Sequence, residues 1–202
     1  MPQEHKEQIS RYHPLLVTLH WLLAALIVAA LALGALVMAG IPNSDPMKLE
    51  ALRSHMIGGG LIMMLMPSRY AVRALTARPP EADAGNLFFN KLAWFSHRAL
   101  YVLVLAQAGS GVVMALQTHL PEIVFMHQGT LPADFWGFPI RYVHYVVSRM
   151  LMTVIALHVT GALYHVFVRG DGLMKRMWFG RPVISASDQI SPSNRSSSMV
   201  RS

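Results

Sequence analysis

The sequence predicts an all-α membrane protein built as a bundle of four transmembrane helices, and three observations predict it. Of 202 residues, 53% are hydrophobic and only 13% charged, about half the charged share of a soluble domain. Mean hydropathy is +0.39, and four apolar runs reach the roughly 20 residues that a bilayer crossing takes. The basic residues gather beside alternate ends of those runs, as they do in proteins that cross a membrane. Because backbone polar groups in lipid must be satisfied within the segment, long apolar runs mean helices.

The first span runs over residues 14–40. It is too long for the 7–15-residue core of a signal peptide, and it carries His20 and Trp21 about two turns in. Trp21 suits the interface. Pro42, Asn43 and Pro46 break the chain, and a second span follows over residues 47–75. It holds His55 in its first turns, then Gly58, Gly59 and Gly60. Glycines inside a helix cost about 1 kcal/mol each; here they give close helix packing or room for a flat ligand. Pro67 predicts a kink. Arg69 and Arg73 share a helix face before Arg78, Pro79 and Pro80 end the span. The two arginines mark the cytoplasmic boundary or bind carboxylates of a cofactor, since guanidinium pairs with carboxylate through two hydrogen bonds.

The third span, residues 92–116, includes His97, Gln107, Gly109 and Gly111; His97 reads as an interfacial hydrogen-bonding group ahead of the alternative, an iron ligand. The loop over 117–139 contains no spanning run. It is expected to cap the bundle through a short interfacial segment around Phe135 and Trp136, with His119 and His127 exposed. The fourth span, residues 140–168, carries His144, His158 and His165. Three parts follow: an N-terminal arm (1–13) with solvated His5 and His13, a membrane domain (14–168), and a basic, Ser-rich tail (169–202) that is polar and aperiodic.

The formal charge of +7 does not point to nucleic acid, because the basic residues cluster at helix ends and in the tail rather than on one face. There is no cysteine, so disulfides, iron–sulfur clusters and thioether-linked haem are excluded. The methionines are packing filler. Counted beside the spans, basic residues concentrate in the N-terminus, on the flanks of the second loop (Arg73, Arg78 and Lys91) and in the C-terminal segment, a distribution that predicts both termini in the cytoplasm.

Ionisable groups inside a membrane are costly and functional by default. His144 and His158 are fourteen residues apart, so they share a helix face within about 40° and stand about 21 Å apart along the axis. Antiparallel threading puts His20 at the depth of His158, and His55 at the depth of His144. Each level then offers two imidazoles from different helices, the arrangement that holds a porphyrin iron from both sides. Mid-membrane acids, which a proton or ion transporter would need, are absent from the first, third and fourth spans.

The chain resembles the bacterial cytochrome b561 family of four-helix di-haem membrane cytochromes over about residues 10–182. The resemblance rests on His20-Trp21, on His55 followed by glycines, and on Arg69 and Arg73 ahead of a double proline. It extends to His97, the Gly111–Met114 stretch, His144 and Leu157-His158. It implies two non-covalent, bis-histidine haems b, one between His20 and His158 and the other between His55 and His144. Arg69 and Arg73 would meet the propionates of the cytoplasmic haem.

The resemblance further implies a bacterial inner-membrane oxidoreductase, in contact with lipid, that oxidises superoxide at the outer face and reduces ubiquinone. Arg53, Arg141 and Arg149 are the basic residues placed to attract the anion. The alternative is an electron-relay subunit for a separate partner oxidoreductase or periplasmic protein, docking on the 117–139 loop.

Overall fold

A computed structural model describes residues 11–80 and 85–180. His5, the rest of the arm to residue 10, residues 81–84 and residues 181–202 of the tail lie outside the described residues. The described residues contain helices and no strand. Helix α1 (Pro14–Ala32) continues through a π turn (Leu33–Val37) and a 3-10 turn (Met38–Gly40). Then come α2 (Pro46–Leu75), α3 (Leu87–Gln117), the short α4 (Leu120–Met126) and α5 (Pro139–Tyr164), which ends in a second π turn (His165–Arg169). A last turn, α6, spans Leu173–Arg176.

Local chemistry sets the helix starts. Pro14 opens α1, whose first turn is capped by His13, with Nδ1 accepting from the Leu15 N–H at 3.3 Å. Asp45 accepts from the Met47 N–H at 2.8 Å ahead of Pro46, and Asn86 accepts from the Phe88 N–H at 2.8 Å. Side-chain oxygens at such positions satisfy N–H groups that have no intrahelical partner. Helix α2 runs unbroken through Pro67.

Among the described residues, three stretches are long and apolar enough to cross a membrane: Pro14–Gly40, Leu87–Gln117 and Pro139–Arg169. The 30 residues of α2 would extend about 45 Å; its apolarity is diluted by His55, three glycines, Arg69 and Arg73. It packs between α1 and α3, while α3 packs along α5. Large apolar side chains such as Leu22, Val28, Leu61, Val102 and Val146 are exposed, as lipid-facing surface is. The protein is a helical membrane bundle.

Two apolar clusters hold it. Leu23, Ile62, Met66, Leu103, Val104 and Leu151 join α1, α2, α3 and α5, with Leu151 seven residues from both His144 and His158. Leu52, Ala115, Leu120 and Val124 form the other, with Phe135 packed against them. The cap is therefore α4, whose Leu120, Ile123 and Val124 are buried. This differs from a cap centred on Phe135 and Trp136. Left-handed His119 and His127 flank it (φ 53° and 56°), both exposed.

Lys48 is buried, and its Nζ donates to the Met38 and Ile41 carbonyls at 2.6 and 2.8 Å. It thereby closes the end of α1, where carbonyls lack intrahelical partners. Lys48→Met keeps the stem but removes the donor to both carbonyls, leaving Met38 with only the long bond from the Ile41 N–H at 3.4 Å. The expected cost is about 1–3 kcal/mol, checked by the midpoint of unfolding in detergent with SDS as denaturant.

Candidate functional site: two histidine levels on one helix

The fold brings together the histidines that their depths pair. His20 of α1 and His158 of α5 have ring centroids 6.4 Å apart with planes at 70°. His55 of α2 and His144 of α5 are 6.2 Å apart at 76°. Among the described residues, the helices that carry these partners, α1 with α5 and α2 with α5, make at most marginal backbone contact. Each pair thus faces across a separation that the two backbones do not close.

Two metal–imidazole bonds of about 2 Å, with the ring radii added, separate centroids by roughly 6.3 Å. Both pairs stand at that spacing. No group of three or more His, Cys, Asp or Glu converges on a metal position among the described residues. A bare structural ion takes about four protein ligands, whereas a porphyrin brings four nitrogens and asks the protein for two. Two isolated pairs suit the second case.

Small residues make room at the outer level. A Cβ on Gly34, in the π turn of α1, would lie 3.4 Å from Cε1 of His55; one on Gly111 of α3 would lie 3.3 Å from Cε1 of His144. Single π turns often mark functional positions in helices. By contrast, a Cβ on Gly58, Gly59 or Gly60 would meet nothing within 4 Å. That triplet is therefore not a site of tight helix packing. Nδ1 of His55 is buried without a hydrogen-bond partner, while both ring nitrogens of His144 are engaged, by Gln107 at 2.9 Å and Ser110 at 3.0 Å.

The inner level is ringed by cations. Arg69 donates to the Tyr101 hydroxyl, and its Cζ lies 5.3 Å from that ring's centroid. Its charge is within electrostatic reach of His20, His97 and His158, and that of Arg73 reaches His97. His97 donates from Nδ1 to the Ala93 carbonyl at 2.7 Å, and its ring stands 5.1 Å from His158. His165 is tied to Asp171 at 2.6 Å. Although burial raises the Asp171 carboxyl, bonds from His165, the Leu173 N–H and Arg169 together hold it below the usual range. The Trp21 indole donates to the Met177 carbonyl at 2.9 Å, fastening the chain beyond α6 beside His20.

On the outer side, Arg53 is spoken for by Glu50 at 2.9 Å and the Val124 carbonyl at 2.9 Å. Arg141 lies 4.5 Å over Trp136, and Arg149 lies 4.9 Å over Tyr145. These aromatic contacts leave both guanidinium charges unneutralised.

The prokaryotic cytochrome b561 family model matches residues 11–180. The chain belongs to that family. It is also similar to cytochrome b561 homolog 2 of Escherichia coli (strain K12), 27% identical over 175 residues, covering 83% of this chain and 90% of the relative. As a prokaryotic cytochrome b561, the protein is a membrane electron-transfer protein that binds haem b. The paired histidines, the gaps between their helices and the glycine cradles fit that group.

Sequence reasoning missed Gly34, Ser110 and Tyr101. Only Gly34 left a signal, a glycine inside the first apolar run rather than at its end.

Proposed function

We propose that this cytochrome binds two haems b and carries electrons between the outer face and the quinone pool as a superoxide:ubiquinone oxidoreductase. The observation that supports it is the double pairing: 6.4 Å between His20 and His158, 6.2 Å between His55 and His144, with fourteen residues of α5 between levels. Haem b, once bound, supplies one-electron chemistry at each level. His20 and His158 would hold the inner group, and His55 and His144 the outer one. Two side-chain ligands per iron leave no open position for oxygen. Arg69, fixed by Tyr101, and Arg73 would pair with propionates at the inner level.

The membrane domain spans residues 14–168, between an arm (1–13) and a tail (169–202) that both lie on the cytoplasmic side of a bacterial inner membrane. Each superoxide gives up one electron and leaves as dioxygen. Ubiquinone takes up two electrons and two protons and leaves as ubiquinol. Arg141 and Arg149 favour the anion's approach, since charge at a cleft raises encounter rates. Asp45 and Asp134 are committed to capping N–H groups, and Glu50 is paired with Arg53.

Stopped-flow mixing of the haem-loaded protein with superoxide tests the reading. Rapid haem reduction, with ubiquinol accumulating on added quinone, is expected. No reaction unless a co-purified protein is present would favour an electron relay to a separate partner. Arg141→Glu is expected to slow reduction by superoxide roughly tenfold at low ionic strength. The gap should close as salt shortens the screening length, and equal rates at all salt concentrations would remove Arg141 from the approach path.

A further inference from the structure

We infer that Ser110 is a positioning residue for the outer haem: its hydroxyl fixes the His144 imidazole with its proton on Nδ1 and its lone pair on Nε2. The inference rests on the proposed outer pair, His55 and His144. Ser110 is buried on α3, and its Oγ–H donates to the Gln107 carbonyl at 2.9 Å. With that proton spent, the oxygen can only accept at its second contact, Nδ1 of His144, 3.0 Å away. Nδ1 therefore carries the hydrogen.

The other side of the ring agrees. With Nδ1 carrying the hydrogen, Nε2 presents a lone pair, which fits the Gln107 side-chain nitrogen 2.9 Å away, an amide donor. A neutral imidazole in this form is the one that ligates metal, and the partner of its second nitrogen sets ring orientation and donor strength. Gly111, next in sequence, makes room for the ring, since a Cβ there would lie 3.3 Å from Cε1. Gln107 and Ser110 have opposite standing toward a metal. Iron at Nε2 would replace the Gln107 amide, whereas the Ser110 bond would persist and strengthen the ligand.

The closing experiment is a spectroelectrochemical titration of the haem-loaded protein, with haem titrated into apoprotein alongside. In Ser110→Ala, loss of the Nδ1 acceptor weakens haem binding at one of the two sites by at least tenfold. It also raises one midpoint potential, by about 59 mV for each tenfold of ferric preference lost. The wave that moves is the one that His144→Ala abolishes, and the other stays in place. Gln107→Leu keeps the main-chain carbonyl that receives the Ser110 proton, and retains full haem loading.

Two unmoved waves and unchanged affinity in Ser110→Ala would overturn the inference. So would loss of one haem in Gln107→Leu. If Ser110→Ala does not assemble, the isosteric pair Ser110→Thr and Ser110→Val decides. A higher outer potential in the valine form supports the inference, and equal potentials overturn it. Wild-type protein that binds fewer than two haems would instead bring down the two-haem reading beneath it.

Discussion

Replacing His144 by alanine is expected to leave one haem b per chain in place of two, and replacing His158 by alanine is expected to do the same at the other level. Each imidazole stands across a gap from its partner, at 6.2 and 6.4 Å, and removing it would leave one histidine to hold a haem at that level. Non-covalent haem has no thioether anchor here, because the chain lacks cysteine. The pyridine haemochrome assay on purified variants gives the count directly.

The two levels differ in one respect. His97 stands 5.1 Å from His158 with Nδ1 committed to the Ala93 carbonyl, which leaves its own Nε2 lone pair free. If His158→Ala kept two haems and the double variant with His97→Ala lost one, His97 would take the place assigned to His158. Among the described residues, His55 alone stands in ring contact with His144.

The second large effect is expected at glycines rather than ligands. In Gly111→Val the new Cβ would lie 3.3 Å from Cε1 and 3.7 Å from Nδ1 of His144. Its two methyl groups would displace the ring from Ser110. In Gly34→Val the Cβ would press on His55 at 3.4 Å. Cores resist such overpacking at a cost of about 1–3 kcal/mol, and a ligand held to within a fraction of an ångström has no slack to give. Both variants should lose the outer haem and keep the inner one, seen as one remaining redox wave. Two unshifted waves in either variant would show that the cradle is not filled by the ligand rings.

The pairing itself was legible in the sequence, because helix rise and alternating direction fix depth without any knowledge of side-chain packing. His20, His55, His144 and His158 could be matched by counting residues. The placement of Arg69 and Arg73 at the inner level follows from the same counting.

The remainder depends on rotation and tertiary contact. Gly34 sits in a π turn, which shifts the helix face in a way that a regular period does not anticipate. Ser110 looks like any small polar residue of a membrane helix until α3 lies along α5. Tyr101 gains meaning only once Arg69 reaches it. The glycines at 58–60 drew attention through composition, yet their surroundings are open. The α4 cap was hidden because its seven residues are too few for a periodic signal.

Counting haem b in the wild-type chain tests the central claim most directly. Purified protein should give two haems per polypeptide by pyridine haemochrome, with a ferric spectrum of wholly low-spin, six-coordinate iron. One haem or none, or a high-spin ferric fraction belonging to one site, would contradict two bis-histidine centres on a shared helix.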